Sequence, residues 1–182
     1  MLIEEQRCRT KAVTVCKDAG RYALLEQEAI RIRLFREADL EAIKALIDHT
    51  IDVCYSGVYP PRAVEFFKRY HARDRILTRS KAGYVPVLEH GDLLIATGAL
   101  VDAEICAVFV APGVQGRGFG KRVMQALESR AALQRTHEVH LSVSLPSRRI
   151  YERLGYEIHE EAFLDVGEGQ RLDYWKATKR LA

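Results

Sequence analysis

From Ile30 the chain alternates apolar and charged side chains, with Ile30, Ile32 and Leu34 set against Arg31 and Arg33, which predicts a half-buried strand. Leu40, Ile43, Leu46, Ile47 and Ile51 follow at helical spacing. Val64, Phe67 and Tyr70, after Pro60 and Pro61, predict a second, shorter helix. Tyr84 to Leu88 and Leu93 to Val101 read as two strands joined through Glu89, His90, Gly91 and Asp92, and Glu104 to Val110 reads as the next strand. Val123, Met124 and Leu127 give the following helix an apolar stripe. Val139, Leu141, Val143 and Leu145 then alternate with His140, Ser142 and Ser144, so one face of that strand is expected to be buried. A helix from Ser147 to Leu154 should stop at Gly155, and strands near Tyr156 to Leu164 and Arg171 to Thr178 flank the Gly167-Glu168-Gly169 turn. This order predicts a mixed α/β fold with a largely antiparallel central sheet flanked by helices. Residues 1–29 carry no sustained period and are read as an extension with a helix near Tyr22 to Ile30, leaving 30–182 as the domain.

Composition narrows the class. At 182 residues and 48% hydrophobic content the chain matches one domain with a substantial core. Lys and Arg number 28 against 25 Asp and Glu, and a net charge of +3 disfavours nucleic acid or a membrane surface as partner. No apolar run approaches the ~20 residues of a membrane span, and Glu4, Glu5 and Arg7 stand where a signal peptide needs its apolar core, so a cytoplasmic protein is expected. Cys8, Cys16, Cys54 and Cys106 have no metal-ligand spacing, and reduced structural thiols with no metal are expected.

The chemistry concentrates between Val108 and Lys121, where a short apolar strand runs into a glycine loop and the loop into a helix. Gly116, Gly118 and Gly120 allow positive φ and close approach of a ligand, while the first amides of the helix and the positive end of its dipole favour an anion. Arg117, Lys121 and Arg122 add positive charge. A Walker A loop is excluded, because Gln115 stands five before Gly120 and Arg122 replaces the magnesium-binding hydroxyl. A dinucleotide fingerprint is excluded as well, since Lys121 or Val123 falls where its third glycine belongs. The plain alternative is a helix start whose glycines serve only a tight turn.

Gln115, Gly118 and Gly120 in the pattern Gln-x-x-Gly-x-Gly resemble the pyrophosphate loop of the GNAT superfamily of acyl-CoA N-acyltransferases. Leu145 to Tyr156 resembles that family's second hallmark through Tyr151, Gly155 and Tyr156, with Ser144 in place of the usual Asn and Ile150 in place of the aromatic before the tyrosine. The resemblance covers about residues 30 to 178. It implies a GNAT-like fold in which the strands of Glu104 to Val110 and His137 to Ser144 splay apart. It also implies an acetyl-CoA cosubstrate whose pyrophosphate lies on Gln115, Gly116, Arg117, Gly118, Phe119, Gly120 and Lys121. The pantetheine arm would pair with the main chain along Val108, Phe109 and Val110, with Ser144 able to donate one hydrogen bond.

The same resemblance implies N-acetyl transfer to an amine of a small molecule or protein by direct attack, with Glu104 as base and Tyr151 as the acid that protonates the leaving thiolate. The amide of Val108 would hold the developing oxyanion. Duller readings stand beside these: Glu104 as a solvated strand-end charge, and the whole domain as a non-catalytic acyl-CoA sensor or interaction module. A transferase acting on charged tRNA is a further rival that the modest charge disfavours. Cys106 reads as core rather than as an acyl-carrying nucleophile. His140, Ser142 and Asp102 lack the elbow of a hydrolase. His49, His71, His90 and His159 are expected to be exposed, Phe66, Phe67 and Tyr70 to pack a helix, and Trp175 to be core. In the family Tyr55, Tyr59 and Phe66 lie in the region covering the acceptor, so residues 53–82, with a contribution from 168–176, are expected to choose it. A homodimer is compatible with all of this.

Overall fold

A computed structural model describes residues 30–181. The expected helix near Tyr22 lies outside the described residues. Strands β1 (Ile30–Leu34), β2 (Pro86–His90), β3 (Leu93–Val101), β4 (Glu104–Val110), β5 (Glu138–Ser144), β6 (Glu157–Gly167) and β7 (Gln170–Arg180) form one sheet. The spatial order is β1-β2-β3-β4-β5-β7-β6, and every neighbouring pair is antiparallel except β4 and β5. Helices α1 (Leu40–Tyr55), α2 (Pro61–Tyr70) and α3 (Arg73–Ala82) stand between β1 and β2. Helix α4 (Phe119–Leu133) connects β4 to β5, and the short α5 (Arg148–Arg153) connects β5 to β6. Among the described residues no helix is long and apolar enough to cross a membrane.

Successive strand residues point to opposite faces, so the sheet is covered on both sides. Ala96, Gly98 and Leu100 of β3 face α4, whose Val123, Met124 and Leu127 are all buried. Gly98 is required there: a Cβ would stand 2.8 Å from Val123 Cγ1 and 2.9 Å from Leu127 Cδ1. The other face of β3 meets Ile43 and Ile47 of α1 and Ile76 of α3. The alternation read in β5 is present, with Val139, Leu141 and Val143 buried between exposed neighbours.

Three expectations are corrected. In β1 the apolar face turns outward, Ile32 and Leu34 being 41% and 57% exposed. Arg33 is drawn inward instead, because its guanidinium forms a fork on Asp39 at 2.7 and 3.0 Å and its Nε donates to Glu89 at 2.6 Å. Helix α3 is an additional helix that periodicity did not reveal, since only Ile76 is buried in an otherwise polar stretch. The second strand begins at Pro86, and Tyr84 contributes only an isolated bridge to Leu100. Glu89 and His90 belong to that strand, leaving Gly91 (φ 57°) and Asp92 as the hairpin turn.

Candidate active site

Two features of β4 shape the site. Between the pairs Thr97–Phe109 and Ala99–Cys106 the strand carries an extra residue, a bulge in which Ala107 adopts a φ of 52°. A left-handed alanine costs about 1 kcal/mol or more, and such strain is characteristic of strands that must re-aim their groups beside a site. On the opposite edge β4 meets β5 at a single pair, Glu104 with His140, after which the two strands part. Backbone groups beyond that point lack the ladder that would otherwise satisfy them, and an extended ligand carrying amides can supply it.

The glycine loop lies at the far end of β4. Gly116 and Gly118 have φ of 79° and 82°, which side chains resist, and a Cβ at either would meet nothing within 4 Å. The first amide of α4 to reach a backbone acceptor is that of Arg122, which donates to the Gly118 carbonyl at 3.1 Å. The amides before it lie together at the positive end of a helix, an arrangement that fits a phosphate. Arg117 and Lys121 are exposed beside it, while Arg122 reaches back to the Ile30 carbonyl at 3.5 Å. Phe119 is only 7% exposed, so any part it takes is through its amide. Gln115 acts as a brace: its Nε2 donates to the Val110 carbonyl at 3.0 Å and also touches Cys54 Sγ.

A cavity of about 290 Å³ opens where β4 and β5 part, lined by Glu104 to Phe109 on one side and Ser142, Ser144, Ser147 and Tyr151 on the other. Val110 is outside the lining. The cavity thus brings Glu104, Val108, Phe109, Ser144 and Tyr151 together. Burial, reinforced by neighbouring Tyr55 and Cys106, pushes the Tyr151 phenol well above its ordinary value, so it stays protonated. Its ring meets Tyr156 edge-on at 5.6 Å, and its hydroxyl has no hydrogen bond among the described residues. Ser144 is already engaged: Tyr55 donates to its Oγ at 3.1 Å, and Ser147 lies 2.8 Å away.

Several residues depart from expectation. Cys106 lines the cavity rather than the core, and burial pushes its thiol up to about 11, with Glu104 adding to the rise and Arg79 opposing it. His71 and His90 are 5% and 4% exposed, against the expectation of surface histidines. His71, absent from the candidate site residues, lines the cavity. Burial pushes its imidazole down to about 3, helped by nearby Arg79 and Lys44. Arg79 can only donate, so its 3.2 Å contact makes His71 Nδ1 the acceptor and puts the ring proton on Nε2. The ring also stands edge-on to Phe109 at 4.9 Å. Phe66, Phe67 and Tyr70 line the cavity as well as packing α2, and Tyr174, Leu172 and Leu164 close it from β7 and β6. Tyr59 stands behind this wall, its hydroxyl accepting from the Leu145 amide at 2.7 Å and donating to the Asp173 carbonyl at 3.0 Å. Trp175 is half-buried, donating to Glu161 at 3.1 Å with Arg148 over its ring.

Comparison with known proteins agrees with this geometry. A family model described as an acetyltransferase (GNAT) domain matches residues 52–167. Among solved structures, a GCN5-related N-acetyltransferase from Rhodopseudomonas palustris superposes with a TM-score of 0.75 at 17% identity, covering 87% of this chain and 98% of its own. The PaiA N-acetyltransferase of Thermoplasma acidophilum, in complex with coenzyme A, gives 0.69 at 16% identity over 84% of this chain and 99% of its own. YncA of Salmonella typhimurium, an acetyltransferase with acetyl-CoA, gives 0.62 at 20% identity over 85% and 95%. A search of curated proteins found no match.

Proposed function

The chain belongs to the GNAT acetyltransferase family, and from that premise we propose that it is an N-acetyltransferase moving the acetyl group of acetyl-CoA directly onto a primary amine in a ternary complex. The observation that carries this reading is the meeting of Tyr151 and Glu104 in one cavity where β4 and β5 part. The amides from Gly116 to Lys121 would take the diphosphate, with charge from Arg117 and Lys121. The free edge of β4 near Val108 and Phe109 would pair with the amides of the pantetheine arm. When bound, acetyl-CoA supplies an activated carbonyl and a thiolate leaving group.

The residues of the chain then handle protons and charge. An acceptor amine with a pKa near 10.4 arrives as an ammonium, and Glu104, the acid of the cavity lining, takes its proton directly or through water. The N–C bond forms as the C–S bond breaks, while the amide of Val108 faces the oxygen on which negative charge develops. The departing sulfur takes the phenolic proton of Tyr151, and the second proton that the nitrogen sheds on becoming an amide leaves to solvent, which returns a proton to the phenol. A thiolate has an ordinary conjugate-acid pKa near 8.5, but the desolvation that raises the phenol would raise the thiol too, keeping the transfer matched. Cys106, held as a neutral thiol, is a poor acyl carrier, which favours direct transfer.

Initial rates of thiol release, measured while acetyl-CoA and a panel of primary amines are varied together, test this reading. Intersecting reciprocal plots are expected. Parallel plots would contradict the ternary complex, and CoA binding without thiol release from any amine would favour the non-catalytic sensor.

A further inference from the structure

The acceptor wall carries information about what it accepts. Glu104 is the sole charged side chain lining the cavity among the described residues, and neither a lysine nor an arginine is among the lining groups. Most cations nearby are committed elsewhere, and Arg69, outside the lining, lies over the Phe66 ring at 5.9 Å. Arg62 pairs with Glu65 and Glu168, Lys68 with Asp52, and Arg171 with Asp173. Arg79 is spent on His71 Nδ1 and on the Tyr70 carbonyl at 3.0 Å. The far wall is instead apolar and aromatic: Phe66 and Tyr70 stack with ring centroids 6.1 Å apart, opposite Leu164, Leu172 and Tyr174. His71 adds only a neutral N–H.

Such a wall can balance one positive charge and no negative one. A substrate carboxylate or phosphate, or a second ammonium, would give up water there without gaining a partner from the lining. At about 290 Å³, shared with the thioester end, the space beyond the reacting carbonyl holds roughly one ring. We infer that the acceptor is a primary monoamine on a compact aromatic or aliphatic skeleton without any acidic group. This inference rests on the acetyltransferase reading above and adds the substrate class to it.

The test uses acetyl-CoA with phenethylamine, with phenylalanine (the same skeleton plus a carboxylate), with spermidine, and with a hexapeptide bearing a free amino terminus. Thiol release should give a kcat/KM for phenethylamine at least a hundredfold above each of the others. Leu164→Arg, at the half-open rim, should narrow the gap between phenethylamine and phenylalanine at least tenfold. Equal or faster turnover of phenylalanine, spermidine or the peptide overturns the inferred class while leaving the acetyltransferase reading intact, and an unchanged ratio in Leu164→Arg overturns the assignment of this wall to the acceptor. Thiol release from none of the four, with CoA still binding, overturns both.

Discussion

β5 treats its two neighbours differently. Along β7 it is paired at every residue from Glu138 to Ser144, whereas along β4 it is paired only at His140. One strand is therefore closed on one side and open on the other. The closed side satisfies its backbone internally and needs nothing further. The open side leaves polar backbone beside a cavity, a costly arrangement unless a ligand completes it. The candidate groups lie accordingly: Glu104 and Tyr151, with Cys106 between them in the lining, are on the open seam, and the left-handed alanine of β4 is beside it. Stability is expected to reside in the closed seam and turnover in the open one, and substitutions on either side can break that division.

The largest effect is expected from Tyr151→Phe, which keeps the ring against Tyr156 but removes the proton. The kcat should fall roughly 10²- to 10⁴-fold, as for the loss of a general acid, with CoA affinity within twofold of the parent. A drop in affinity that matched the drop in rate would mean that the hydroxyl binds rather than protonates. Next comes Gly118→Val. A β-branched side chain at a φ of 82° both strains the loop and fills its open space, so CoA affinity should weaken by about a hundredfold while the helical circular dichroism signal persists.

The closed seam should respond in the opposite sense. Val139 of β5 is fully buried, and Val139→Ala should lower unfolding stability by about 2 kcal/mol in denaturant titrations while kcat and CoA affinity stay within twofold. A variant equally stable but slow would show that the two sides are not separable. At neutral pH the smallest effect is expected at His71, whose contribution changes only in acid. Its folded pKa is depressed to about 3 against about 6.5 for an unperturbed histidine, so between those values the unfolded chain binds more protons than the folded one. The stabilisation is present above pH 6.5 and is lost as pH falls toward 3, at up to ~1.4 kcal/mol per pH unit. In His71→Gln the acid slope of stability should flatten measurably; an unaltered slope would place the titration elsewhere.

The open seam was more legible in the sequence than the wall facing it. Glycines at positive φ leave a spacing that can be read from Gly116 and Gly118, and the alternation of Val139, Leu141 and Val143 announces a strand with one dry face. The wall proposed for the acceptor joins Phe66 and Tyr70 of α2 to Leu164 and Tyr174 of the β6–β7 hairpin, about a hundred positions away. Locally Phe66 and Tyr70 read as packing, and the family resemblance alone points to Phe66 and to residues 53–82 and 168–176, whereas Leu164 lies outside both ranges. His71 illustrates the same limit, because its burial depends on Phe109 and its tautomer on Arg79, neither of which its own neighbours in sequence reveal. Helix α3 escaped because its single buried residue, Ile76, cannot set a period.

The central claim is that the open side of β5 and the amides at the head of α4 together receive an acyl-CoA. Calorimetric titration of CoA into the parent protein and into Gly118→Val tests it most directly. The account predicts saturable one-to-one binding to the parent and at least a hundredfold weaker binding to the variant. Absence of binding to the parent, or equal affinity for both, would contradict it.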